Sequence, residues 1–277
     1  MLSLDAAPSQ QDSGNSADEL TCDVSDKAQV RQILKSNRTD AIIHLAAILP
    51  TAAQRDPVRA TRVNVDGSLN LLEMAKEFEV RHFVFASSLS IYGSWPKDQI
   101  VSETSPAAPE DIYGAAKLYV EQLGAASRER DGLQFVSFRI GRVVGKGAHS
   151  QTSAWRSQIF EMLGAQQRVT IDLPYVASET LLLVHVDDVA LGLLALLEAN
   201  RPSHTIYNAP CESVTVQRLK DRIETLNPKI LVLPGDSFTT GNPRRLDWSR
   251  FREDFQFRAA PILERLELEA AHATHST

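Results

Sequence analysis

"FASSLSIYG", residues 85–93, decides how this chain folds, and "IYGAAK", residues 112–117, decides what to look for in it. The first begins inside an apolar run, "HFVFAS" (82–87), short and free of internal charge, as a strand buried on both faces requires. Serines close that run, so the strand delivers hydroxyls to its own carboxyl end. The second stretch belongs to a helical pattern over residues 111–129, and Tyr113 and Lys117, four apart, share one face of it. "QFVSFRI" (134–140) then reads as another strand. Strand, helix and strand in this order imply a right-handed parallel crossover.

The same alternation extends upstream. "AIIHLAA" (41–47) is a continuous apolar run, expected as a strand buried on both faces, and "VRATRVNVDGSLNLLEMAKEF" (58–78) is a long helix with Gly67 inside it. "ELTCDV" reads as a short strand ending near Asp23, and residues 25–36 as a helix with Ser25 at its N-cap. Residues 6–19 are small and polar and read as a loop. These elements predict an α/β protein with a doubly wound parallel sheet. After residue 141 the pattern loosens: "SAWRSQIFEMLGAQ" reads as a helix, "RVTIDL" and "TLLLVHV" as strands, with Asp187 or Asp188 capping the helix "VALGLLALLE". Residues 1–140 with 181–200 are expected to form a dinucleotide-binding unit. Residues 141–180 with 201–277 are expected as a smaller mixed α/β lobe over the carboxyl ends of the strands, where open sheets bind ligands.

Bulk properties narrow the function. The 277 residues are 43% hydrophobic, enough for a sizeable core. A net charge of −6, from 29 basic and 35 acidic residues, supplies no basic field for nucleic acid or an anionic membrane. Two cysteines, Cys22 and Cys211, make no disulfide framework and no CxxC, so a reducing cytoplasm and no metal are expected. No apolar run approaches the length of a membrane span, and the first residues lack the basic and apolar regions of a signal peptide.

The chemistry follows from Ser88, Tyr113 and Lys117. A free phenol has a pKa of about 10, so Tyr113 alone is a poor base near neutrality. A neighbouring ammonium favours the phenolate, and moving that pKa to about 7 takes roughly 4 kcal/mol. Tyr113 would then exchange the proton of a substrate alcohol while hydride moves to or from a nicotinamide. Ser88 would hold the same oxygen, with Ser87 as the alternative hydroxyl. His44 reads as a satisfied strand histidine, and His185 as architectural. Asp187 and Asp188 read as a cap and a solvated carboxylate rather than a metal pair. Arg142, Arg244 and Arg245 read either as phosphate contacts or as solvated surface.

"CDVSD", "IIHLAA", "NVDGSLNLLEMA", "FVFASSLSIYG", "YGAAK", "FRIGRVVG", "LVHVDDVA" and "YNAP" stand in an order and spacing that resemble the NAD-dependent epimerase/dehydratase family, the extended short-chain dehydrogenase/reductases. The resemblance runs from about residue 20 to about 225 and more loosely to the end. It implies NAD or NADP as cofactor and a sugar or nucleotide-sugar-like substrate. It implies that Asp23 and Val24 meet the adenine, that Leu45, Ala46 and Ala47 line the phosphate-ribose path, and that Asn64 braces the strand ends. Ser87 and Gly141 join Tyr113 and Lys117 in the cofactor-lining set, and Ser88, Tyr113 and Lys117 match the catalytic trio. A homodimer through helices 58–78 and 111–129 is also implied.

The family's glycine fingerprint, G-x-x-G-x-x-G, lets the backbone approach a pyrophosphate at a helix N-terminus. None of the thirteen glycines here makes that pattern. "LSLD" (2–5) either matches the family's second strand, making Asp5 the ribose carboxylate, or is an accident. Without the first strand, "AIIHLA" loses a neighbour and exposes unpaired backbone. The chain is therefore expected as a truncated family member, as a protein completed by a partner, or as one read from a misplaced start, with weak or absent NAD(P) binding. Ser88 is followed by Leu89, Ser90 and Ile91, so no carboxylate stands ready to eliminate water. That favours an epimerase or a simple dehydrogenase over a dehydratase or decarboxylase. The alternative is a catalytically silent member with a binding or regulatory role.

Overall fold

A computed structural model describes residues 1–6, 18–147 and 153–275. Strands β1 (Leu2–Asp5) and β2 (Asp18–Thr21) pair in parallel, Leu4 opposite Leu20. Most of the loop expected between them, residues 7–17, lies outside the described residues. Helix α1 (Lys27–Ser36) is capped by Asp26, which accepts from the N–H groups of Ala28 and Gln29. The expected cap, Ser25, instead donates to Asp23 from both its N–H (2.9 Å) and its hydroxyl (2.8 Å). An Asx turn thus sets the helix one residue later than the sequence suggests. Strand β3 (Ala41–His44), α2 (Pro50–Arg55) and α3 (Pro57–Thr61) follow. A π turn at Arg62–Asp66 carries α3 into α4 (Gly67–Glu77). Strand β4 (His82–Ser88), helix α5 (Ile112–Asp131) and strand β5 (Gln134–Ile140) complete the half that bears the motifs.

Strands β3, β4 and β5 lie parallel and in register, with Ser88 opposite Ile140. Side chains alternate between the two faces of this sheet. Phe83, Phe85 and Phe135 pack with Leu71, Leu72 and Val120 of α4 and α5 on one face. Val84, Val136 and Phe138 pack with Leu193 and Leu196 on the other. Burying each such side chain contributes about 1.5–3 kcal/mol, so both faces must be covered, which is the doubly wound arrangement.

The strand expected as "AIIHLAA" is shorter and less covered than its composition suggests. Ala41, Ile42 and Ile43 are only half-buried, and Leu45 just beyond is 57% exposed. Among the described residues, β3 pairs with β4 alone, and β1–β2 forms a separate two-stranded sheet. Leu4 nonetheless packs into the same apolar cluster as Ile42 and Phe83.

The second half contains β6 (Arg142–Val144), α6 (Trp155–Glu161), β7 (Val169–Tyr175), β8 (Thr180–His185) and α7 (Val186–Glu198). It continues with β9 (Ile206–Asn208), β10 (Glu212–Thr215), α8 (Val216–Leu226), β11 (Ile230–Ser237), α9 (Ser249–Phe255) and α10 (Ile262–His275). β8 lies between antiparallel β10 and parallel β6, while β7 and β11 pair in parallel. Leu181, Leu183, Val214, Leu219 and Ile223 share one core there with α6 and α10.

Residues 181–200 divide between the two halves. β8 belongs to the small mixed sheet, whereas α7 packs on β3, β4 and β5. β9 joins the parallel sheet beside β5, which gives the order β3-β4-β5-β9. The cap of α7 is His185, whose Nδ1 accepts from the Asp187 N–H at 3.3 Å. Asp188, one of the two expected caps, is instead held by Arg265 of α10 at 2.6 Å.

Candidate active site

Where β4 ends, Ser88 keeps extended backbone and its oxygen accepts from the Ser90 N–H at 3.2 Å. This turns the chain through a short 3-10 segment, Leu89–Tyr92. Gly93 completes the turn at φ +67, where a Cβ would sit 2.1 Å from the Ala108 carbonyl oxygen, so only glycine fits. Helix α5 begins close by because Asp111 accepts from the Gly114 N–H at 2.6 Å. Gly114 allows the helix to press onto the serine turn: a Cβ there would lie 2.6 Å from the Ser90 carbonyl oxygen. The two motifs quoted at the outset are therefore packed against each other.

This packing brings Ser88, Tyr113 and Lys117 together. The Ser88 hydroxyl lies near enough to the Tyr113 phenol to lower its pKa, and is 3.2 Å from Ser90 Oγ. Lys117 Nζ donates to the Ala86 carbonyl at 2.6 Å, 4.5 Å from the Phe85 ring centroid and 5.6 Å from that of Tyr113. Ser87 Oγ is buried and has no hydrogen-bond partner.

The electrostatics differ from the simple expectation. Tyr113 is pushed up to about 12, chiefly by burial, with the neighbouring Ser88 hydroxyl opposing and the Asp111 carboxylate adding to the rise. Lys117 is pulled down to about 7 by burial, against the field of Glu121. The lysine thus lends its tyrosine less positive charge than a solvated ammonium would. In this state Tyr113 is a phenol and a proton donor, not a phenolate. His44 is buried, bonded to Ser68 Oγ at 2.8 Å, and held neutral near 3 by burial and by Lys117.

Most of the remaining expected residues follow the ends of other strands. Leu45, Ala46 and Ala47 form the segment leaving β3. Asn64, buried in the π turn, accepts from the Ile48 N–H at 2.7 Å and donates to its carbonyl at 3.0 Å, so it braces that segment. A π turn places such a side chain out of step with a regular helix. Asp23 is exposed and occupied by the Ser25 turn, which lowers its pKa. Val24 packs against the start of α4, where a Cβ on Gly67 would meet its Cγ2 at 2.7 Å. Asp5 ends β1, and its carbonyl accepts from the Cys22 N–H at 2.8 Å. Gly141, just past β5, lies against Cys211 and Leu89.

Of the three candidate arginines, Arg244 is committed to Glu179 (2.9 Å), and Arg245 reaches the Asp98 carbonyl (3.2 Å). Arg142 stacks on Tyr175 instead, 5.7 Å from the ring centroid.

A buried ion pair near the site escapes a reading of motifs. Glu121, four residues beyond Lys117, forms a buried pair with Arg139 (2.6 Å), and Arg139 also donates to the Tyr92 phenol at 2.8 Å. The four-residue spacing from Lys117 was visible, but its partner on β5 was not.

These residues fit one half of a dinucleotide. The orphaned Ser87 hydroxyl, Tyr113 and Lys117 suit a nicotinamide ribose, while no glycine-rich turn stands ready for a pyrophosphate anywhere in the sequence.

A doubly wound parallel sheet with a Ser–Tyr–Lys cluster at its carboxyl edge defines a protein of the short-chain dehydrogenase/reductase type. The NAD dependent epimerase/dehydratase family matches residues 2–209, and the chain belongs to it. It is 31% identical over 125 residues to a UDP-glucose 4-epimerase of Lactobacillus helveticus, covering 44% of this chain and 37% of that protein. It is 30% identical over 137 residues to a uronate dehydrogenase of Pseudomonas putida, covering 50% and 49%. The chain thus spans less than half the length of these curated relatives. Its fold matches a GalE-like L-threonine dehydrogenase from Cupriavidus necator at a TM-score of 0.86 and 18% identity, over 98% of this chain and 90% of that one. It also matches the Thermus thermophilus UDP-glucose 4-epimerase in complex with NAD at a TM-score of 0.79 and 24% identity, over 100% and 91%. No helix among the described residues is long and apolar enough to cross a membrane.

Proposed function

We propose that this protein is an NAD(P)-dependent oxidoreductase or epimerase acting on a hydroxyl of a sugar-like substrate through Ser88, Tyr113 and Lys117. The observation that carries the reading is the convergence of these three side chains at one strand end, with the phenol beside the serine and the lysine anchored on the Ala86 carbonyl. Tyr113 hands its proton to, or takes it from, the reacting oxygen. Ser88 orients that oxygen, and Lys117 tunes the phenol. Burial of all three side chains keeps water from the proton path. A bound nicotinamide supplies the hydride acceptor or donor. Kinship with a UDP-glucose 4-epimerase and a uronate dehydrogenase supports both a sugar-like substrate and either outcome, epimerisation or net oxidation. The serine turn offers no carboxylate beside Ser88, which weighs against dehydration.

The test is turnover of a panel of sugars, sugar acids and nucleotide sugars, read as nicotinamide absorbance for oxidation and by chromatography for epimerisation. Tyr113→Phe should abolish turnover while changing cofactor affinity by no more than a few fold. A Phe variant retaining more than a tenth of wild-type kcat would remove Tyr113 from the chemistry. A second reading, a catalytically silent member that retains the fold for binding, is favoured by the raised Tyr113, the lowered Lys117 and the lack of a glycine cradle. Absence of turnover on the whole panel at saturating cofactor would favour it.

A further inference from the structure

Arg139 stands between Phe138 and Ile140 on β5 and is almost wholly buried, an uncommon place for a charge. Well-packed apolar residues often replace a buried ion pair without loss of stability, so a charge kept there calls for a use beyond cohesion. Its nitrogens divide between two elements. Nε and Nη2 donate to Glu121 of α5 at 3.0 and 2.6 Å, while Nη1 donates to the Tyr92 hydroxyl at 2.8 Å. The guanidinium also lies 4.9 Å from the Tyr92 ring centroid. Tyr92 is buried, and its hydroxyl donates in turn to Asn208 Oδ1 at 2.7 Å. Asn208 is the strand partner of Arg139, so these bonds form a closed set within the sheet and its turn.

The two elements that Arg139 joins are the two that carry the site. α5 bears Tyr113 and Lys117, and Glu121 lies one turn further along its buried face. Tyr92 closes the turn that opens at Ser88. One side chain of β5 is therefore fastened to the phenol-bearing helix and to the serine-bearing turn at once. The guanidinium is planar and rigid, so it fixes the positions of its acceptors as well as attracting them. The close approach of Gly114 to the Ser90 carbonyl limits how near α5 comes to the turn, but such a contact does not stop the two from sliding past each other. Directional hydrogen bonds do. Burial pushes the Tyr92 phenol up to about 12, with Arg139 opposing, so its one proton stays in place for Asn208 while its oxygen accepts from the arginine.

We propose that Arg139 and Tyr92 are positioning residues: held on Glu121, the guanidinium locks the Tyr92 hydroxyl and thereby sets Ser88 in register with Tyr113 and Lys117. The assignment deepens the proposed function and rests on it for the effect on turnover, but not for the geometry. A misplacement of about 1 Å at a reacting group costs on the order of 100-fold in rate, so a modest slip of the turn is enough to matter.

The test is carbon-13 NMR of the full chain labelled at tyrosine Cζ, in which the signal lost in Tyr113→Phe belongs to Tyr113. Tyr92→Phe keeps the ring and deletes the hydroxyl, and should move or broaden the Tyr113 signal. Glu121→Leu/Arg139→Met, expected to melt close to wild type, should move it as well, whereas a purely stabilising role would leave the signal of a stable variant in place. Ile223→Val, which loosens the separate core of the second half, should leave it in place. Thermal unfolding of each variant establishes that it is folded. On the substrate panel, Tyr92→Phe should lower kcat at least tenfold with KM within threefold of wild type. If wild type turns over no member of the panel, the functional reading fails and the carbon signals still decide the positioning role. A Tyr113 signal unmoved in both network variants, an equal shift in Ile223→Val, or an unchanged kcat in Tyr92→Phe would overturn it.

Discussion

Replacing Glu121 by Gln should cost this protein several kcal/mol although the residue is almost wholly buried. Glu121 is 2% exposed and Arg139 4%, and the carboxylate takes two bonds from the guanidinium, at 2.6 and 3.0 Å. The same oxygen that accepts Arg139 Nε also accepts the Ser137 hydroxyl at 2.7 Å. The substitution keeps the volume but leaves the arginine charge uncompensated in an apolar layer. Removing one member of a buried pair costs about 3–5 kcal/mol, whereas replacing both by apolar groups of similar volume is near neutral or better. At about 2–4 °C per kcal/mol for a chain of this size, the single variant should melt roughly 10 °C lower. The double variant Glu121→Leu/Arg139→Met should recover most of that loss. The assay is urea unfolding followed by far-UV circular dichroism, completed as a double-mutant cycle. A single-variant loss below about 1 kcal/mol, or a double-variant loss equal to the sum of the singles, would refute the reasoning. The consequence reaches the site, because Arg139 also donates to Tyr92, and Tyr92 ends the turn that begins at Ser88 and bonds Asn208 at 2.7 Å.

Three further outcomes are expected. Lys117 is pulled down to about 7 when folded, so between pH 7 and its unfolded value the unfolded chain binds more protons and stability rises with pH. The stability of wild type relative to Lys117→Met should therefore climb from neutrality towards pH 10, by at most ~1.4 kcal/mol per pH unit, and a flat difference in urea midpoints would contradict the burial argument. Tyr113, raised to about 12, stays protonated in both states over most of that window and adds no slope. NAD should bind this chain with a Kd above about 1 mM, because the sequence contains no G-x-x-G-x-x-G turn to receive the pyrophosphate; micromolar binding by calorimetry would show a phosphate site of another kind. Gly114→Ala should destabilise the fold by about 1–3 kcal/mol and lower any activity, since its Cβ would meet a backbone oxygen rather than a flexible side chain; an unchanged melting temperature would mean that α5 is free to shift.

Much of the parallel half was legible because its signals are local. β5 spans the residues its composition marked, and β4 runs only one residue further, to Ser88, because apolar runs bounded by polar residues have few alternatives as strands. Tyr113 and Lys117 were legible for the same reason, since a four-residue spacing on a helix fixes a shared face. The caps were misjudged where several polar residues compete: Asp26 prevailed over Ser25, and His185 over the two aspartates, by geometry that composition does not encode.

By itself the sequence determined the alternation of strands and helices, the hydroxyl-bearing strand end, and the lack of a glycine cradle, all properties of contiguous residues. Only the tertiary structure decided which charges are compensated. Glu121 and Arg139 meet across a helix and a strand, Arg244 is spent on Glu179, and Arg142 lies over the Tyr175 ring. It also decided that Tyr113 remains a phenol, because burial outweighs the field of a lysine that is itself desolvated. Coulomb and desolvation energies depend on distances between residues far apart in the chain, and periodicity carries no record of them.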